Sequence, residues 1–339
     1  DISYSVYASD NADFIPSIDN LVQAGIKQNR VVIPKRSEGH YYYKICAKKS
    51  FPSGADNEVS DYVTVETDAV SAEELTKRIG IDDKYGYVNF LTPCGTGKIE
   101  RSKGNYNYIQ TDYSIPCGKL SFDLTRVYNS QSNKNGVLGT GWTSWYQMQA
   151  YESDNNIILE DGDGSCLIYV NDGNGKYSSE RDEKSYFTKV TDSDEYSYRQ
   201  VYKDGTIYTY NNYGYLVKIQ EVNGSYLELI YDYHNRVVER IISHSKSEES
   251  GEQSVHEARF IYSFTNYNNK MRLIGIMLPN GAILAYSHSG DKLMKVKITG
   301  ENGVGEISYN YEYQNGQLVK VYDAKKTGVY NIQYSNDRV

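Results

Sequence analysis

The sequence lacks the residue spacings that metal, redox and phosphate sites need. Its four Cys show no CxxC spacing, and its five His form no HExxH motif or close pair, which argues against a zinc or dithiol site. The glycine signatures of P-loops and dinucleotide-binding turns are missing as well. We therefore expect no metal and no cofactor.

Long apolar runs and an excess of basic charge are also absent. No segment approaches the roughly 18 uninterrupted apolar residues of a membrane-spanning helix. The 44 acidic residues outnumber the 36 basic ones, and the basic residues do not cluster. We therefore expect no membrane span in this chain and no nucleic-acid partner.

Tyrosine dominates the aromatic residues, with 36 Tyr against 7 Phe, while only 6 Pro occur. A tyrosine ring covers its neighbours on a pleated surface while the hydroxyl stays hydrated or bonded, so this excess favours β-strands. The hydrophobic share of 39% is sufficient for a core, and a length of 339 residues favours two domains. The composition predicts an all-β protein.

Residues 1–68 show the alternation of an antiparallel sheet. Tyr41, Tyr43 and Ile45 fall on one face of a predicted strand, and a second strand is predicted over residues 59–66. These two strands resemble the last two strands of a fibronectin type III module whose opening strands are missing. The resemblance implies a partial sandwich that acts as a spacer or adhesive module; a generic β-sandwich piece is the alternative.

One short helix is predicted in the junction, which we place at residues 69–100. Ser71 followed by Glu74 is a capping box, and Gly80 supplies the left-handed residue that ends a helix. The helix separates the first module from a second region, residues 101–339.

The second region is rich in hairpin turns. Asn-Gly and Asp-Gly pairs favour type I′ turns, which need positive φ at both central residues. A series of them predicts an up-and-down antiparallel sheet, because no long amphipathic helix intervenes. The turns fall at Gly104-Asn105, Asp161-Gly162, Asp163-Gly164, Asp172-Gly173, Asn174-Gly175, Asp204-Gly205, Asn223-Gly224, Asn280-Gly281 and Asn315-Gly316.

A weak internal repeat runs through the same region. Each unit has a tyrosine, then Gly or Asn, then an apolar residue, and the units lie at residues 210–216, 231–237, 286–293, 313–318 and 334–339. We expect the tyrosine on one strand, a turn at Gly or Asn, and the apolar residue re-entering the core on the next strand.

Two sets of residues resemble the Rhs family of YD-repeat proteins. Tyr231, Asp232 and Arg236 resemble one YD repeat, with Asn235 in place of the usual Gly. Four further motifs follow the family's order upstream; their residues are Gly104, Asn105, Asp112, Arg126, Tyr128, Asn129, Ser130, Gly139, Gly141 and Trp142. The resemblance extends from about residue 85 to the end of the sequence.

This resemblance implies a fold, a role and a location. In Rhs toxins, and by resemblance in teneurin-like adhesion proteins, the repeats form a β-sheet that spirals into a hollow shell. The chain is then a non-enzymatic part of a secreted or cell-wall-associated bacterial protein, and its shell encloses or displays a toxin or adhesive cargo. The implied partners are the rest of its own polypeptide, an enclosed C-terminal cargo domain, and glycans or proteins of host or bacterial surfaces.

We interpret the chain as the start of such a shell. A shell that stops at Val339 cannot close, so its last strand is expected to show unpaired backbone groups or to pair with a neighbouring molecule.

The motif residues are expected to be structural. We predict that Arg126 pairs with a carboxylate or carbonyl and that Trp142 packs nearby, which would hold the first shell strand in place. Asp161, Asp163 and Asp172 lie in tight turns, where a plain hairpin is favoured over a calcium site because the bidentate Glu of a calcium loop is missing.

Two other functions stay open. Tyrosine-rich strand faces could bind carbohydrate by stacking on sugar rings, which would make the chain an adhesion module. A polysaccharide-degrading enzyme would need two carboxylates about 5 to 10 Å apart in a groove. Separately, Cys94 and Cys117, both in Pro-Cys-Gly contexts, could form a disulfide.

Overall fold

The chain is all-β. The computed structural model describes residues 2–27, 39–49, 58–59, 63–69, 80–81, 86–92, 95–117, 120–153, 155–193, 195–232, 237–246, 253–268, 270–300, 303–325, 330–336 and 338–339. Their regular structure is antiparallel strand, apart from one 3-10 turn at Ile18–Asn20, which confirms the predicted fold class. The predicted helix at residues 71–79, Cys94 and the side chain of Cys117 lie outside the described part. No helix in that part is long and apolar enough to cross a membrane.

The first module forms one antiparallel sheet, the module sheet. Its strands are β1 (Ile2–Ser9), β2 (Leu21–Ile26), β3 (Gly39–Lys49), β4 (Glu58–Val59) and β5 (Val63–Ala69). The two strands that resemble a fibronectin type III module, β3 and β5, pair directly, with Tyr43 opposite Val65. A sandwich needs a second sheet, so the sandwich remains a prediction.

A second sheet, the motif sheet, carries the residues of the upstream Rhs-like motifs. Its strands are β6 (Tyr87–Thr92), β7 (Gly95–Glu100), β8 (Tyr106–Cys117), β9 (Leu120–Asn129) and β12 (Trp142–Ser144), and a small hairpin of β10 (Asn135–Gly136) and β11 (Gly139–Thr140) precedes β12. Because β6 and β7 pair within this sheet, it begins before residue 101, inside the segment predicted as a junction.

The next strands pair in chain order, as the serial turns predict, and form the long sheet. They are β13 (Gln149–Ser153), β14 (Asn156–Glu160), β15 (Cys166–Asn171), β16 (Lys176–Ser178), β17 (Ser185–Lys189), β18 (Tyr196–Tyr202), β19 (Ile207–Asn211), β20 (Leu216–Gln220), β21 (Tyr226–Asp232), β22 (Val237–Lys246) and β23 (Gln253–Arg259).

A last sheet follows with the same serial order. Its strands are β24 (Ile261–Tyr267), β25 (Lys270–Met277), β26 (Ile283–Ser289), β27 (Lys292–Thr299), β28 (Glu306–Gln314), β29 (Gln317–Asp323) and β30 (Tyr330–Asn331). Only Phe260 separates β23 from β24, so one extended segment pairs with the long sheet and then with the last sheet. Phe260 is buried, and its amide donates to the Glu239 carbonyl at 2.9 Å.

Among its described residues, the predicted unit at residues 334–339 forms only an isolated bridge between Ser335 and Arg338. The other four predicted units, and one further hairpin that contains Phe264, are bulged hairpins. In each, the register slips by one residue where a ring-bearing residue of the first strand lies opposite a buried Leu or Val of the second. Such a bulge bends the strand and increases its twist. The opposed residues are Tyr210 and Leu216, Tyr231 and Val238, Phe264 and Leu273, His288 and Leu293, and Tyr313 and Leu318.

The sequence located four of these hairpins and missed one. In the unit that begins at Tyr286, the residue opposite Leu293 is His288. The hairpin of Phe264 escaped notice because Phe replaces the tyrosine there. Because the bulges lie at matching points, the repeat specifies where the backbone is bulged as well as the pattern of side chains.

The motif, long and last sheets share a single core. Its buried members include Trp142 from the motif sheet, Phe187 and Leu227 from the long sheet, and Tyr311 and Val321 from the last sheet. The inner faces of these sheets are therefore filled with side chains.

The end of the chain folds back onto the motif sheet. The Val339 amide donates to the Gly104 carbonyl at 3.0 Å, and Ser335 pairs with Arg338. We expected the strand ending at Val339 to show unpaired backbone or to pair with a neighbouring molecule. This is wrong for the Val339 amide, because its partner is the Gly104 carbonyl in the turn between β7 and β8.

We predict that Leu216→Ala lowers the free energy of unfolding by about 2 to 5 kcal/mol, because it empties a fully buried repeat position. The matched control is Val222→Ala in the next turn, where the side chain is 74% exposed and the change should stay within about 0.5 kcal/mol. Urea unfolding followed by circular dichroism measures both. Equal losses in the two variants would contradict the role assigned to the bulged hairpins.

Candidate functional site

A buried ion pair lies at the centre of the shared core. Arg126 Nε contacts Asp112 Oδ2 at 2.5 Å, and Arg126 Nη2 donates to Asp112 Oδ1 at 2.8 Å. Only 3% of the Arg126 side chain and none of the Asp112 side chain is exposed. The prediction that Arg126 pairs with a carboxylate is confirmed.

The β8–β9 hairpin brings these two residues together. Gln110 lies opposite Arg126, and a bulge between Thr111 and Tyr113 leaves Asp112 as the extra residue of β8. Side chains alternate along a strand, so Asp112 faces the same side as Gln110 and therefore the same side as Arg126. The bulge also turns Tyr113 toward the core.

Aromatic residues complete the surroundings of the ion pair. The Tyr286 hydroxyl donates to Asp112 Oδ2 at 3.2 Å, and Arg126 Nη2 donates to the Tyr311 hydroxyl at 3.1 Å. The guanidinium carbon lies 5.1 Å from the centre of the Trp142 ring, within cation–π range. The prediction that Trp142 packs near Arg126 is confirmed.

The protonation states of this cluster follow from its burial and its charges. Burial alone would lower the pKa of Arg126, but the Asp112 carboxylate outweighs it and raises that pKa well above its usual value. Burial and the neighbouring Asp112 carboxylate raise the pKa of Tyr286. Arg126 therefore keeps its charge, and Tyr286 keeps the proton that it donates to Asp112.

Other motif residues fasten the motif sheet to the last sheet. Trp142 Nε1 donates to the Tyr313 hydroxyl at 2.8 Å, and the Leu318 amide donates to the Tyr128 hydroxyl at 3.0 Å. Gly139 has a φ of 98°, and a Cβ there would lie 2.5 Å from the Asp291 carbonyl oxygen, so only glycine fits. Through these contacts the motif residues link the motif sheet to the last sheet.

The remaining upstream motif residues hold the ends of β8, β9 and β12. Ser130 Oγ donates to Asn105 Oδ1 at 3.0 Å and accepts from the Tyr106 amide at 2.9 Å. The Asn129 amide donates to the Gly141 carbonyl at 2.9 Å. All of these contacts are internal to the fold.

The YD-like unit also makes internal contacts. The Tyr231 hydroxyl donates to the Tyr146 carbonyl at 2.8 Å, which ties the long sheet to the segment after the motif sheet. Asp232 lies opposite Val237 in the β21–β22 ladder. Arg236 lies outside the described residues.

A cavity that the sequence did not predict lies beside the first Asp-Gly turns. Its volume is about 260 Å³. It is lined by Gly80, Ile81, Trp145, Met148, Asp161, Asp163, Ser165, Leu167, Tyr169, Arg181, Asp182, Lys184, Gln200, Tyr202 and Tyr208. The turn that the sequence predicted as a plain hairpin therefore contributes to a polar cavity.

The carboxylates of Asp163 and Asp182 in this cavity accept hydrogen bonds from other parts of the fold. Asp163 accepts the Ile81 amide at 2.5 Å and the Ser165 amide at 2.8 Å. Asp182 accepts the Tyr169 hydroxyl at 2.6 Å. Within the described ranges, no three His, Cys, Asp or Glu side chains are grouped to hold a metal ion.

Asp161 is the third carboxylate of the cavity, and its surroundings favour the protonated form. Burial, and then the neighbouring Asp163 carboxylate, raise the pKa of Asp161 above its usual value. The adjacent Gly162 amide donates to Oδ1 at 2.5 Å, and this bond and a hydrogen bond from the Asp163 backbone oppose the rise without outweighing it. Asp161 therefore tends to keep its proton in the folded state.

Comparison with known families concerns this same part of the chain. Residues 97–169 match a family model described as a domain of unknown function (DUF6531). The match spans about a fifth of the chain and includes the motif residues from Gly104 to Trp142 as well as Asp161 and Asp163. No curated protein matches the chain. The Rhs resemblance therefore remains a prediction.

We predict that Arg126→Met lowers the free energy of unfolding by about 3 to 5 kcal/mol, because it leaves the Asp112 carboxylate buried and unpaired. The double variant Asp112→Leu/Arg126→Met should recover part of this loss. As a control, Lys189→Met breaks an ion pair with Glu152 whose side chains are each 39% exposed, and should cost about 0 to 1 kcal/mol. A double variant no more stable than Arg126→Met, in urea unfolding, would contradict the proposed coupling.

We predict that Asp161→Asn stabilises the protein at pH 7 by roughly 1 to 2 kcal/mol, since each unit of pKa shift is worth about 1.4 kcal/mol before solvent screening. Above about pH 4 the folded state retains a proton that the unfolded state has lost, so wild-type stability falls as the pH rises. Urea unfolding at pH 5 and pH 7 measures this slope. It should flatten in Asp161→Asn and persist in the exposed-turn control Asp172→Asn.

Proposed function

We propose that the chain is a non-enzymatic structural part of a secreted or cell-wall-associated bacterial Rhs-repeat protein. Its β-wall encloses or displays a toxin or adhesive cargo. The observation that carries this proposal is the series of bulged hairpins, which pair in chain order around a core braced by the residues of the Rhs-like motifs.

The bulged hairpins supply the curvature that a wall needs. A bulge adds one residue to one strand, so that strand bends and its twist increases. Here the bulges recur at matching points of successive hairpins, as at Tyr210, Tyr231 and Tyr313. Repeated bulges of the same kind would curve the long sheet and the last sheet. This curvature supports the proposal of a curling wall.

The bonding of the motif residues supports a scaffold over an enzyme. Arg126 and Asp112 neutralise each other, and the hydroxyls of Tyr286 and Tyr311 bond to that pair. None of these groups faces open solvent. Because the hydrogen bonds between these groups are internal to the fold, they support a bracing role.

The filled interior limits where cargo would lie. Side chains such as Trp142, Phe187 and Tyr311 occupy the space between the sheets. In this proposal the described strands therefore form one end of the wall, and the cargo is held by further strands of the same polypeptide or displayed outside.

The alternative of carbohydrate binding by tyrosine-rich strand faces gains little from the repeat tyrosines. Tyr210, Tyr231 and Tyr286 are buried, and their hydroxyls bond to Gln200, the Tyr146 carbonyl and Asp112. A ring buried in this way cannot stack on a sugar.

Limited proteolysis of the complete gene product tests the scaffold. We expect an enclosed or docked cargo segment to resist cleavage until urea unfolds the wall, because the wall excludes the protease. Arg126→Met should lower the urea concentration at which cleavage begins, and Lys189→Met should leave it unchanged. A segment that is cut at the same rate in native buffer and in urea, or hydrolase activity in the purified chain, would overturn the proposal.

A further inference from the structure

The cavity beside the Asp-Gly turns has an aromatic side chain at its mouth. Trp145 lines the cavity, yet 42% of its surface is exposed, an unusual position for so large an apolar residue. A Cβ at Gly162 would lie 2.2 Å from the Trp145 carbonyl oxygen, so the turn that carries Asp161 and Asp163 lies directly against the Trp145 backbone. The Trp145 backbone and the turn that carries the carboxylates are therefore packed together at this edge of the cavity.

Two tyrosines of the lining supply hydroxyl groups. Tyr202 and Tyr208, on β18 and β19, line the cavity with ring centres 4.9 Å apart. Across the residues that the structure describes, neither hydroxyl has a hydrogen-bond partner, in contrast to Tyr169 and Tyr210 beside them. The cavity thus holds two hydroxyls that a ligand could satisfy.

The charges around the cavity nearly cancel. The carboxylates of Asp163 and Asp182 are matched by the cations of Arg181 and Lys184. The remaining carboxyl, Asp161, is favoured in its protonated form by burial and by Asp163, and in that form it both donates and accepts. A charged ligand would find no unpaired opposite charge in this cavity. A neutral polar ligand would find both hydrogen-bond donors and hydrogen-bond acceptors.

The size of the cavity restricts the ligand further. A volume of about 260 Å³ equals that of roughly eight water molecules, at about 30 Å³ each. That space is enough for one hydroxylated six-membered ring. Apolar ring faces with hydroxyl edges match a site of one aromatic platform and several groups that donate and accept.

We propose that this cavity binds a single neutral sugar residue, a hexopyranose, with one face of its ring on Trp145 and its hydroxyl groups bonded to Tyr202, Tyr208 and Asp161. The site goes beyond the scaffold proposal and does not depend on it. It would allow the wall to attach to a glycan through one sugar unit, while the repeat tyrosines stay inside the core.

Saturation-transfer NMR on the intact chain tests the site, with D-glucose, D-galactose and N-acetyl-D-glucosamine as probes. We expect at least one of them to bind with a dissociation constant of about 1 mM, the range of a small site with few hydrogen bonds. D-glucosamine and D-glucuronate, which carry a positive and a negative charge, should bind more weakly than the neutral sugars.

Three variants locate the binding. Tyr208→Phe removes one hydroxyl and should weaken binding about fivefold, the factor for one hydrogen bond. Trp145→Ala removes the platform and should abolish saturation transfer. Tyr186→Phe on β17 is the matched control, because Tyr186 does not line the cavity, and it should bind like wild type. Circular dichroism confirms that each variant is folded.

Three results would overturn the inference: no neutral hexose gives saturation transfer, a charged sugar binds more tightly than the neutral ones, or folded Tyr208→Phe and Trp145→Ala bind as wild type does. None of these would affect the scaffold, whose test is protection of the cargo segment.

Discussion

The buried ion pair between Arg126 and Asp112 is the constraint on which the rest of the core depends. Removing two charges from water is costly, and their attraction offsets that cost only when further hydrogen bonds satisfy them. The further partners here, Tyr286 and Tyr311, belong to the last sheet. Arg126 Nη2 and Asp112 Oδ2 therefore gain these partners only when the last sheet lies against the motif sheet in one register. This requirement gives the pair a role in specifying the arrangement of the two sheets.

Tyrosine suits this architecture because it contributes two things at once. Its ring fills the space between sheets, and its hydroxyl reaches a backbone carbonyl of a neighbouring sheet or hairpin. Tyr231 reaches the Tyr146 carbonyl, Tyr313 reaches the Leu293 carbonyl and Tyr334 reaches the Leu318 carbonyl. Phenylalanine would supply the first contribution and leave those carbonyls without a donor. This dual use gives a physical reason for the excess of Tyr over Phe.

The features that could be predicted from the sequence are those that depend on residues close together in the chain. The serial order of the hairpins followed from Asn-Gly and Asp-Gly turns, and the bracing role of Arg126 followed from its motif. The cavity could not be predicted, because Trp145, Asp161 and Tyr208 meet only through the register of the long sheet. The hydrogen bond of the Val339 amide was not predicted for a similar reason, since its partner, Gly104, lies at the opposite end of the region.

The contact between Arg126 and Tyr311 spans 185 positions along the chain, and that between Asp112 and Tyr286 spans 174. Contacts so distant must wait for long loops to close, which slows folding. During synthesis, the β8–β9 hairpin emerges long before its tyrosines, so its charges and apolar side chains stay uncovered in the interval. Nascent chains of this protein are thus exposed to misassembly until the last hairpins leave the ribosome, and assistance from a chaperone would matter most in that window.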